Sequence, residues 1–544
     1  MNTSLLPASL VDVEPFGPEA LVDPIPANSI PTQITNHLVK GTATLGAAVF
    51  VERGAGFLAN ILAARLGGAS VFGAYALGIS TANNISTYAA GGIGATATRF
   101  SGKYGHNSGD YATFARVLGV VSLVSALLAA TALWFGASPI ALLLHQTGLT
   151  HLLRWASISA AGMILLECAR GFFVGQHRLA ALILLSLLVG AGMVSLLPAI
   201  AATHRPSGMI VAQGAVMLTA VGTCLVLAGP LDLRAPRGGP NPLVRFGVML
   251  REVWAFGFVQ LSGLLSANLA GWWLTALVAR SDTTLVQMGF FAIASQLRNL
   301  TGIIPGLLTE SSYAAMASES HDAGMPDRVM ALCAFVATSA SFLLASTGIV
   351  IVPWGLRLLY GQRYGTAGVT AAVAMAVAVI QMGNSPASAR MSIVSIRWVA
   401  IGNTAWAIFV ASIGTLFLFR GGSAAGAMAV FFAGHVLLAA LVLIVLHRHN
   451  HLPKGMVPLF FISTFGIFAL CLIAVIRQQY PAKALSLSLL MLAIAVGSTL
   501  ALRALAKRHN WLPNLASIRN RVEVFPSFLR AQLRLRKERR LHAR

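Results

Sequence analysis

Charged side chains stand in the middle of long apolar runs of this sequence, where charge is costly to hold. Glu52 and Arg53 occupy the centre of an apolar run over 41–63, and Arg298 lies near the middle of another over 287–312. Such residues either line a water-filled cavity or pair with a neighbouring helix. The planar guanidinium group matches two phosphate oxygens at once, so Arg298 is a candidate diphosphate ligand and Arg53 a second candidate for the cavity wall.

A polar stripe accompanies Arg298. Ser295, Arg298 and Asn299 follow the i, i+3, i+4 spacing that places side chains on one face of a helix. Hydroxyl and amide groups beside an arginine suit hydrogen bonds to phosphate oxygens and sugar hydroxyls. The alternative is that Arg298 pairs with an acidic side chain, either Glu52 or Glu310.

Neutral polar residues interrupt other apolar runs and extend the predicted cavity wall. They are Asn83 and Asn84 in the second run, Gln260 and Asn268 in the seventh, and Gln381 in the tenth. Such side chains also hold membrane helices together without binding a substrate, so packing is the alternative for each. Two acids, Glu52 and Glu310, are candidates for coupling movement to ions, and a packing salt bridge is the alternative for Glu52.

Metal and enzyme motifs are missing from the sequence. The four cysteines are single residues without C-x-x-C spacing, and the histidine-rich segment 447–451 has no Cys or carboxylate beside it. The sequence contains no G-x-x-x-x-G-K-[ST] phosphate loop, no G-x-S-x-G and no H-E-x-x-H. We therefore expect no metal, no cofactor and no enzymatic activity.

The composition indicates which elements must position these residues. Of the 544 residues, 56% are hydrophobic and only 10% are charged, whereas soluble domains carry about 25% charged residues. Apolar runs of about 20 residues, long enough to span a bilayer, recur along the whole chain. The sequence predicts an all-α polytopic membrane protein with about fourteen transmembrane helices. The predicted spans are 41–63, 74–98, 113–136, 152–174, 179–202, 208–230, 253–279, 287–312, 329–352, 367–393, 398–419, 423–446, 456–476 and 484–506.

The distribution of basic residues predicts the orientation of these spans. Each loop takes the number of the span that precedes it. Fourteen Lys and Arg lie in even-numbered loops, and twelve more lie after residue 502. Odd-numbered loops contain nine. Cytoplasmic loops carry the basic excess, so both termini are predicted to be cytoplasmic. The net charge of +22 is explained by these flanks and by a tail suited to anionic lipid, and we expect no nucleic-acid binding.

Two short patterns recur at nearly the same offset and predict an internal duplication. Ala64-Arg65 and Ala279-Arg280 each end an apolar run and are followed by Gly-x-aromatic, and Arg170 and Arg390 form a second pair. The first pair is offset by 215 residues and the second by 220, as in transporters built from repeats. The predicted units are a disordered cytoplasmic leader (1–40), an N-lobe of six spans (41–230), a cytoplasmic linker (231–252), a C-lobe of six spans (253–446), an appended helix pair (447–506) and a basic cytoplasmic tail (507–544).

Three segments carry a family resemblance. The segment 63–75, Ala-Ala-Arg-Leu-Gly-Gly-Ala-Ser-Val-Phe-Gly-Ala-Tyr, resembles the elbow after the first span of the polysaccharide transporter branch of the multidrug/oligosaccharidyl-lipid/polysaccharide exporter superfamily. Segments 358–364 and 421–427 are similar to later parts of that pattern. The resemblance implies two six-helix lobes around a central cavity, and flipping of a polyprenyl-diphosphate-linked oligosaccharide across the bacterial inner membrane. It also implies a cationic cavity, to which Arg53 and Arg298 correspond in character.

Other functions stay open at this point. A drug/cation antiporter of the same superfamily is the alternative within transport, and the fourteen-span count disfavours it because that branch usually has twelve spans. A flippase for a lipid-linked cell-wall precursor is also compatible with the sequence. A membrane polysaccharide polymerase or ligase is disfavoured because the odd-numbered loops are short and carry no clustered acids. A scaffold that recruits polysaccharide assembly enzymes through the basic tail is a further alternative. The leading interpretation is a flippase for exopolysaccharide or lipopolysaccharide synthesis.

Overall fold

The computed structural model describes residues 32–104, 110–227, 242–318, 325–509 and 511, and their regular structure is helical throughout. Three short 3-10 turns, Thr147–Leu149, Gln362–Ala367 and Pro481–Lys483, accompany the α-helices. The α-helices of the described residues are α1 (Thr32–Ala90), α2 (Ile93–Lys103), α3 (Tyr111–Leu143), α4 (Thr150–Gly175), α5 (Leu179–Ala201), α6 (Pro206–Leu227), α7 (Pro242–Ser281), α8 (Val286–Ser318), α9 (Met325–Tyr360), α10 (Gly368–Val394), α11 (Ile396–Phe419), α12 (Ala424–Arg448), α13 (Met456–Gln479) and α14 (Ala484–Arg508).

The predicted spans coincide with these helices, and the prediction of an all-α polytopic membrane protein is confirmed. Helix α1 contains the first span and most of the second. Its backbone breaks between the two spans at Gly68 (φ 79°, ψ 172°). That conformation is accessible essentially only to glycine. Each later predicted span matches one helix from α3 to α14. Within the described residues, eleven helices are long and apolar enough to cross a membrane by length and composition.

The helices form two six-span lobes with an appended pair, as the duplication predicts. Helices α1 to α6 pack mainly on one another, as do α7 to α12, while α13 and α14 pack on α9 and α10. Of the predicted domain boundaries, that between residues 230 and 231 lies outside the described residues. Helix α1 begins at Thr32, inside the predicted leader, and α7 begins at Pro242, inside the predicted linker. The basic tail lies outside the described residues beyond Trp511.

The recurring Gly-x-aromatic pattern marks the point where the two lobes touch most closely. A Cβ atom on Gly73 would overlap the backbone carbonyl of Leu285, and one on Gly289 would overlap the carbonyl of Ala69. Each repeat therefore presents its glycine to the backbone of the other repeat. Only glycine permits this approach of α1 to the start of α8, because any side chain would occupy the space of a backbone atom.

Reciprocal hydrogen bonds surround this crossing. Arg65 Nη1 donates to the carbonyl of Leu358 near the end of α9, at 2.9 Å. Arg280 Nη1 donates to the carbonyl of Leu143 at the end of α3, at 3.3 Å. Each recurring arginine thus reaches the carboxyl end of the third helix of the opposite lobe, where unpaired carbonyls and the helix dipole favour a cation.

A second reciprocal pair completes the contact. Gln146 Nε2 donates to the carbonyl of Ala279 at 2.6 Å, and the Tyr364 hydroxyl donates to the carbonyl of Ala64 at 3.1 Å. All of these contacts lie at the odd-numbered loops, so the lobes are joined on that side. We call the set the interlobe latch; its members are Arg65, Gly73, Gln146, Arg280, Gly289 and Tyr364.

Asp282 fixes the loop that carries one half of the latch. Its carboxylate accepts hydrogen bonds from the backbone N–H of Thr284 at 2.9 Å and of Gln287, in the first turn of α8, at 2.8 Å. Although partial burial works to raise it, these hydrogen bonds and one from the Thr284 hydroxyl lower the pKa of the Asp282 carboxyl below its usual value. The carboxylate therefore stays charged and caps α8.

A buried arginine anchors the appended helix pair. Pro353 lies inside α9 and has no N–H for the carbonyl of Ile349, four residues earlier. Arg477 of α13 supplies the missing donor: Nη2 bonds to the Ile349 carbonyl at 2.9 Å, and Nη1 to the Val350 carbonyl at 2.8 Å. The charge of Arg477 is thereby satisfied by backbone dipoles within an apolar surrounding.

The glycine crossing predicts that Gly289→Ala separates the lobes at the latch. The added methyl group costs about 1–3 kcal/mol in a closely packed site, unless the helices move apart. The Ser70 hydroxyl lies 2.5 Å from the backbone carbonyl oxygen of Thr284. Cysteines are placed at these two positions in a protein without the four native cysteines, and their cross-linking yield reports the distance between the lobes. We expect a lower yield in Gly289→Ala. Gly119→Ala, at a glycine with open space around it, is the control, and an equal yield in both variants would contradict the prediction.

The Pro353 contact predicts a coupled loss of stability. Arg477→Met leaves the Ile349 carbonyl without a donor and should lower the thermal unfolding temperature in detergent, at a cost of about 1.5–3 kcal/mol for a charged donor. Pro353→Ala restores a backbone N–H for the Ile349 carbonyl. In the Pro353→Ala background, Arg477→Met should therefore lower the unfolding temperature less. The exposed loop residue Arg420 provides the control, Arg420→Met. Equal losses with and without Pro353 would show that Arg477 does not replace the missing N–H.

Candidate functional site

A cavity of about 850 Å³ lies between the two lobes. Its wall is built from α1, α4, α5 and α6 of the first lobe and from α7, α8 and α10 of the second. The volume is at the upper end of the range of small-molecule sites. Its wall combines apolar and aromatic side chains with a limited set of polar groups, which is the composition expected of a binding site.

The structure brings six of the sequence-predicted residues together on this wall. These are Glu52, Arg53, Asn83, Arg298, Asn299 and Gln381. They come from three helices separated by up to 329 positions in the sequence, so the helix packing assembles them.

The remaining predicted residues are placed elsewhere or lie outside the described part. Asn84 is buried, and its Nδ2 donates to the backbone carbonyl of Asn268 at 2.9 Å. This bond ties α1 to α7, and neither residue is part of the cavity lining that the structure describes. It corresponds to the packing alternative for neutral polar residues. The side chains of Gln260 and Glu310 lie outside the described residues.

The charge of Glu52 is matched within its own lobe. Its carboxylate forms a salt bridge with Arg170 of α4 and accepts a hydrogen bond from the Ser186 hydroxyl of α5 at 3.2 Å. Arg170 also pairs with Glu167, three residues earlier, at 2.6 Å. The packing salt bridge considered for Glu52 is therefore present. Arg53, the next residue, is exposed and lines the cavity.

Arg298 is placed differently. Among the described residues it forms no salt bridge, and its buried Nε has no hydrogen-bond partner. The guanidinium carbon lies 5.4 Å from the centre of the Phe431 ring, which stacks in turn on Phe291 and Trp406. An aromatic face stabilises a cation without neutralising it. The pairing of Arg298 with Glu52 is not observed, because Glu52 is bound to Arg170.

Several wall residues were missed by the sequence analysis. Asn60, Tyr75, Gln213 and Gln296 all line the cavity. The Tyr75 hydroxyl donates to Gln213 Oε1 at 2.5 Å. The amide oxygens of Asn60 and Gln296 are buried and have no hydrogen-bond partner among the described residues. Single polar residues in apolar runs give little signal by themselves. The signal for Tyr75 was the recurring Gly-x-aromatic pattern, which places it two residues after the latch glycine.

The arrangement suits binding of an anion with polar substituents. Arg298 offers a cation that has no acidic partner among the described residues and rests on an aromatic ring, and uncharged amide and hydroxyl groups line the same cavity. The described residues contain no group of three His, Cys, Asp or Glu placed to hold a metal ion.

Comparison with known proteins identifies the fold and the family. The family model described as polysaccharide biosynthesis protein matches residues 38–317. A structure of the lipid II flippase MurJ in an inward closed conformation superposes with a TM-score of 0.55 at 13% identity, covering 85% of this chain and 98% of that one. An inward-facing multidrug resistance MATE family transporter of the MOP superfamily gives the same TM-score and identity, covering 77% and 95%.

No curated protein matches the sequence. The structural likeness shows the shared fold, and the family model covers more than half of the chain. The chain is therefore a multi-pass membrane protein with a transporter and flippase fold, and it belongs to the polysaccharide biosynthesis protein family, in the polysaccharide transporter branch of the multidrug/oligosaccharidyl-lipid/polysaccharide exporter superfamily.

Proposed function

We propose that this protein is a flippase that translocates a polyprenyl-diphosphate-linked oligosaccharide across the bacterial inner membrane, for exopolysaccharide or lipopolysaccharide synthesis. The observation that carries the proposal is Arg298, a cation on the cavity wall with no acidic partner among the described residues. A half-buried cation without an acidic partner is unfavourable, and an anionic ligand reduces the penalty.

A diphosphate meets the requirements of this wall. Its oxygens accept the paired N–H groups of a guanidinium, so Arg298 would bind it directly. Arg53, exposed in the same cavity, supplies a second cation, while Glu52 is occupied by Arg170. Asn83, Asn299 and the other neutral residues offer hydrogen bonds to the saccharide. The polyprenyl chain would remain in the bilayer.

The latch supports alternating access as the route. It joins the lobes at the odd-numbered loops, and the distribution of Lys and Arg indicates that these loops face outward. In this orientation the cavity is closed to the outside, and release of the latch would open it there. The relatives that superpose with a TM-score of 0.55 are an inward closed and an inward-facing conformation, in agreement with this proposal.

The charge of the cavity separates this proposal from a drug/cation antiporter. A cationic substrate requires an acidic wall, whereas the one acid of the described lining, Glu52, is paired and Arg298 is not. A lipid-linked cell-wall precursor also carries a diphosphate and fits Arg298 equally well, so the saccharide distinguishes these two substrates. The basic tail is proposed to bind anionic lipid at the cytoplasmic surface.

Arg298→Ala should block translocation. Loss of a charged hydrogen-bond donor costs about 1.5–3 kcal/mol, or roughly 10- to 100-fold in transport of a diphosphate substrate. The measurement is the amount of labelled lipid-diphosphate oligosaccharide in each leaflet, at equal protein abundance in the membrane. Labelled substrate should accumulate in the cytoplasmic leaflet. Arg363→Ala, at an exposed loop arginine, should leave its distribution unchanged.

Two results would contradict the proposal at different levels. Normal crossing in Arg298→Ala would make this arginine structural. Normal crossing in cells without the protein would remove the flippase function itself.

Glu52→Gln tests the predicted ion coupling. In vesicles with an imposed proton or sodium gradient, the substitution should abolish the response of transport to the gradient. Glu167→Gln is the matched control, because Glu167 pairs with the same Arg170 and lies outside the cavity lining. If Glu52 serves packing alone, both variants will lose stability while transport still responds to the gradient, and the coupling role is then wrong.

A further inference from the structure

Helices α3 and α4 carry a group of aromatic and basic side chains away from the cavity. Trp134 and Phe135 of α3 are 43% and 78% exposed, and His151, Arg154 and Trp155 lie in the first turns of α4. We call these five residues the α3–α4 cluster. None of them belongs to the described cavity lining, so the proposed transport function does not explain them.

The cluster lies at the depth of lipid headgroups. Helix α3 has 33 residues, and its length of about 50 Å exceeds the hydrocarbon core of about 30 Å. Trp134 is about 14 Å from the end of α3 at Leu143, and Arg154 is about 6 Å from the start of α4 at Thr150. Both of these helix ends lie at the same odd-numbered loop. Tryptophan and arginine at this level face the boundary between acyl chains and headgroups.

Arg154 holds its charge against an aromatic ring. Its guanidinium carbon lies 6.0 Å from the centre of the Trp134 ring, and that ring meets Trp155 edge to face, with centres 6.3 Å apart. Among the described residues, Arg154 forms no salt bridge and no side-chain hydrogen bond. The N–H groups of a guanidinium lie in its plane, so contact with a ring leaves them available to an anion.

His151 adds a second donor on the same face of α4. It precedes Arg154 by three residues, a spacing that places both side chains on one face of the helix. The Trp155 indole N–H donates to His151 Nε2 at 3.0 Å. An imidazole that accepts at Nε2 is neutral and carries its proton on Nδ1, for which the described residues supply no acceptor. The cluster therefore offers a planar cation and a neutral N–H donor together.

The chain has no acid on this side that could neutralise Arg154. The segments at the odd-numbered loops contain nine Lys and Arg and a single acid, Asp282. The Asp282 carboxylate accepts hydrogen bonds from the backbone N–H groups of Thr284 and Gln287 in the other lobe. An anion that pairs with Arg154 therefore comes from outside the chain.

We propose that the α3–α4 cluster binds the phosphate of an anionic phospholipid of the surrounding bilayer. Arg154 binds two phosphate oxygens through its paired N–H groups, and His151 Nδ1–H donates to the same phosphate. Trp134 and Trp155 pack beside the glycerol backbone, and Phe135 contacts the acyl chains. This site is separate from the transport cavity and does not depend on the proposed function.

The experiment captures the lipid at the cluster in the full-length protein. Benzoylphenylalanine, a photo-cross-linking amino acid, replaces Phe135, and the protein is reconstituted into vesicles of equal amounts of phosphatidylglycerol and phosphatidylcholine. After illumination, mass spectrometry gives the ratio of the two captured lipids. The ratio should favour phosphatidylglycerol roughly fivefold, the contribution of one basic residue at an anionic lipid surface. The choline group of phosphatidylcholine competes with Arg154 for the phosphate.

Variants assign the preference to the cluster. Arg154→Gln removes the cation and should bring the ratio to unity. His151→Phe keeps an aromatic ring but removes the donor, and it should lower the ratio about two- to threefold. Arg205→Gln, at an exposed arginine on the same side, should leave the ratio unchanged. Unchanged thermal unfolding temperatures show that the variants are folded.

A control position tests whether the preference is local. Benzoylphenylalanine is placed instead at Leu123, which is 63% exposed on α3 and lies about 18 Å further from the odd-numbered loop than Phe135. At this depth the cross-linker meets acyl chains alone, so it should capture the two lipids equally.

Three results would overturn the inference. Equal capture of the two lipids at position 135 of the otherwise wild-type protein would show that the cluster does not select an anionic headgroup. An unchanged ratio in Arg154→Gln would assign the preference to another group. Loss of the preference in sodium phosphate, but not in sodium chloride of equal ionic strength, would show that the cluster binds a soluble anion instead of a lipid.

Discussion

The contact of two backbones at Gly73 and Gly289 is the constraint on which the rest of the structure depends. Each glycine lacks the Cβ that would overlap a carbonyl of the opposite repeat. The close approach brings Arg65 and Arg280 within reach of the carboxyl ends of α9 and α3. The residues two positions after the glycines, Tyr75 and Phe291, are part of the cavity wall. The need for glycine at these two positions thus determines on which side the lobes are joined and influences the shape of the cavity.

The two lobes share the latch and a salt bridge at the second recurring arginine, and they differ in the charged residues of the cavity wall. In the first lobe, Arg170 forms salt bridges with both Glu52 and Glu167. In the second lobe, its counterpart Arg390 forms a salt bridge with Asp327. In the second lobe, Arg298 is supported by the face of Phe431. Because a salt bridge neutralises a cation and an aromatic ring does not, Arg298, which has no acidic partner among the described residues, keeps its charge available to an anion. Arg53 of the first lobe, exposed in the same cavity, adds a second cation. The duplication therefore explains why the two lobes share a fold. The sequence differences between the two copies explain the charged residues of the cavity wall.

The fold by itself does not select a substrate. The lipid II flippase and the multidrug transporter superpose equally well on this chain, as expected when one architecture serves different ligands. Selectivity then depends on the few side chains that face the cavity. Here these combine an arginine that has no acidic partner among the described residues with uncharged amides and aromatic rings, which is the basis for proposing an anionic lipid carrier.

The sequence by itself determined the membrane class, the approximate number of spans, the duplication and the position of Arg298 on a polar helix face. These follow from apolar length, charge placement and helical periodicity, which are properties of a chain segment taken alone. The tertiary structure decided which polar groups meet. Glu52 binds Arg170, 118 positions away, Asn84 turns to the backbone of Asn268, and Asn60 faces the cavity. Periodicity shows which residues share a face of a helix, but the rotation of that helix against its neighbours determines what the face contacts, and that rotation is set by packing between segments far apart in sequence.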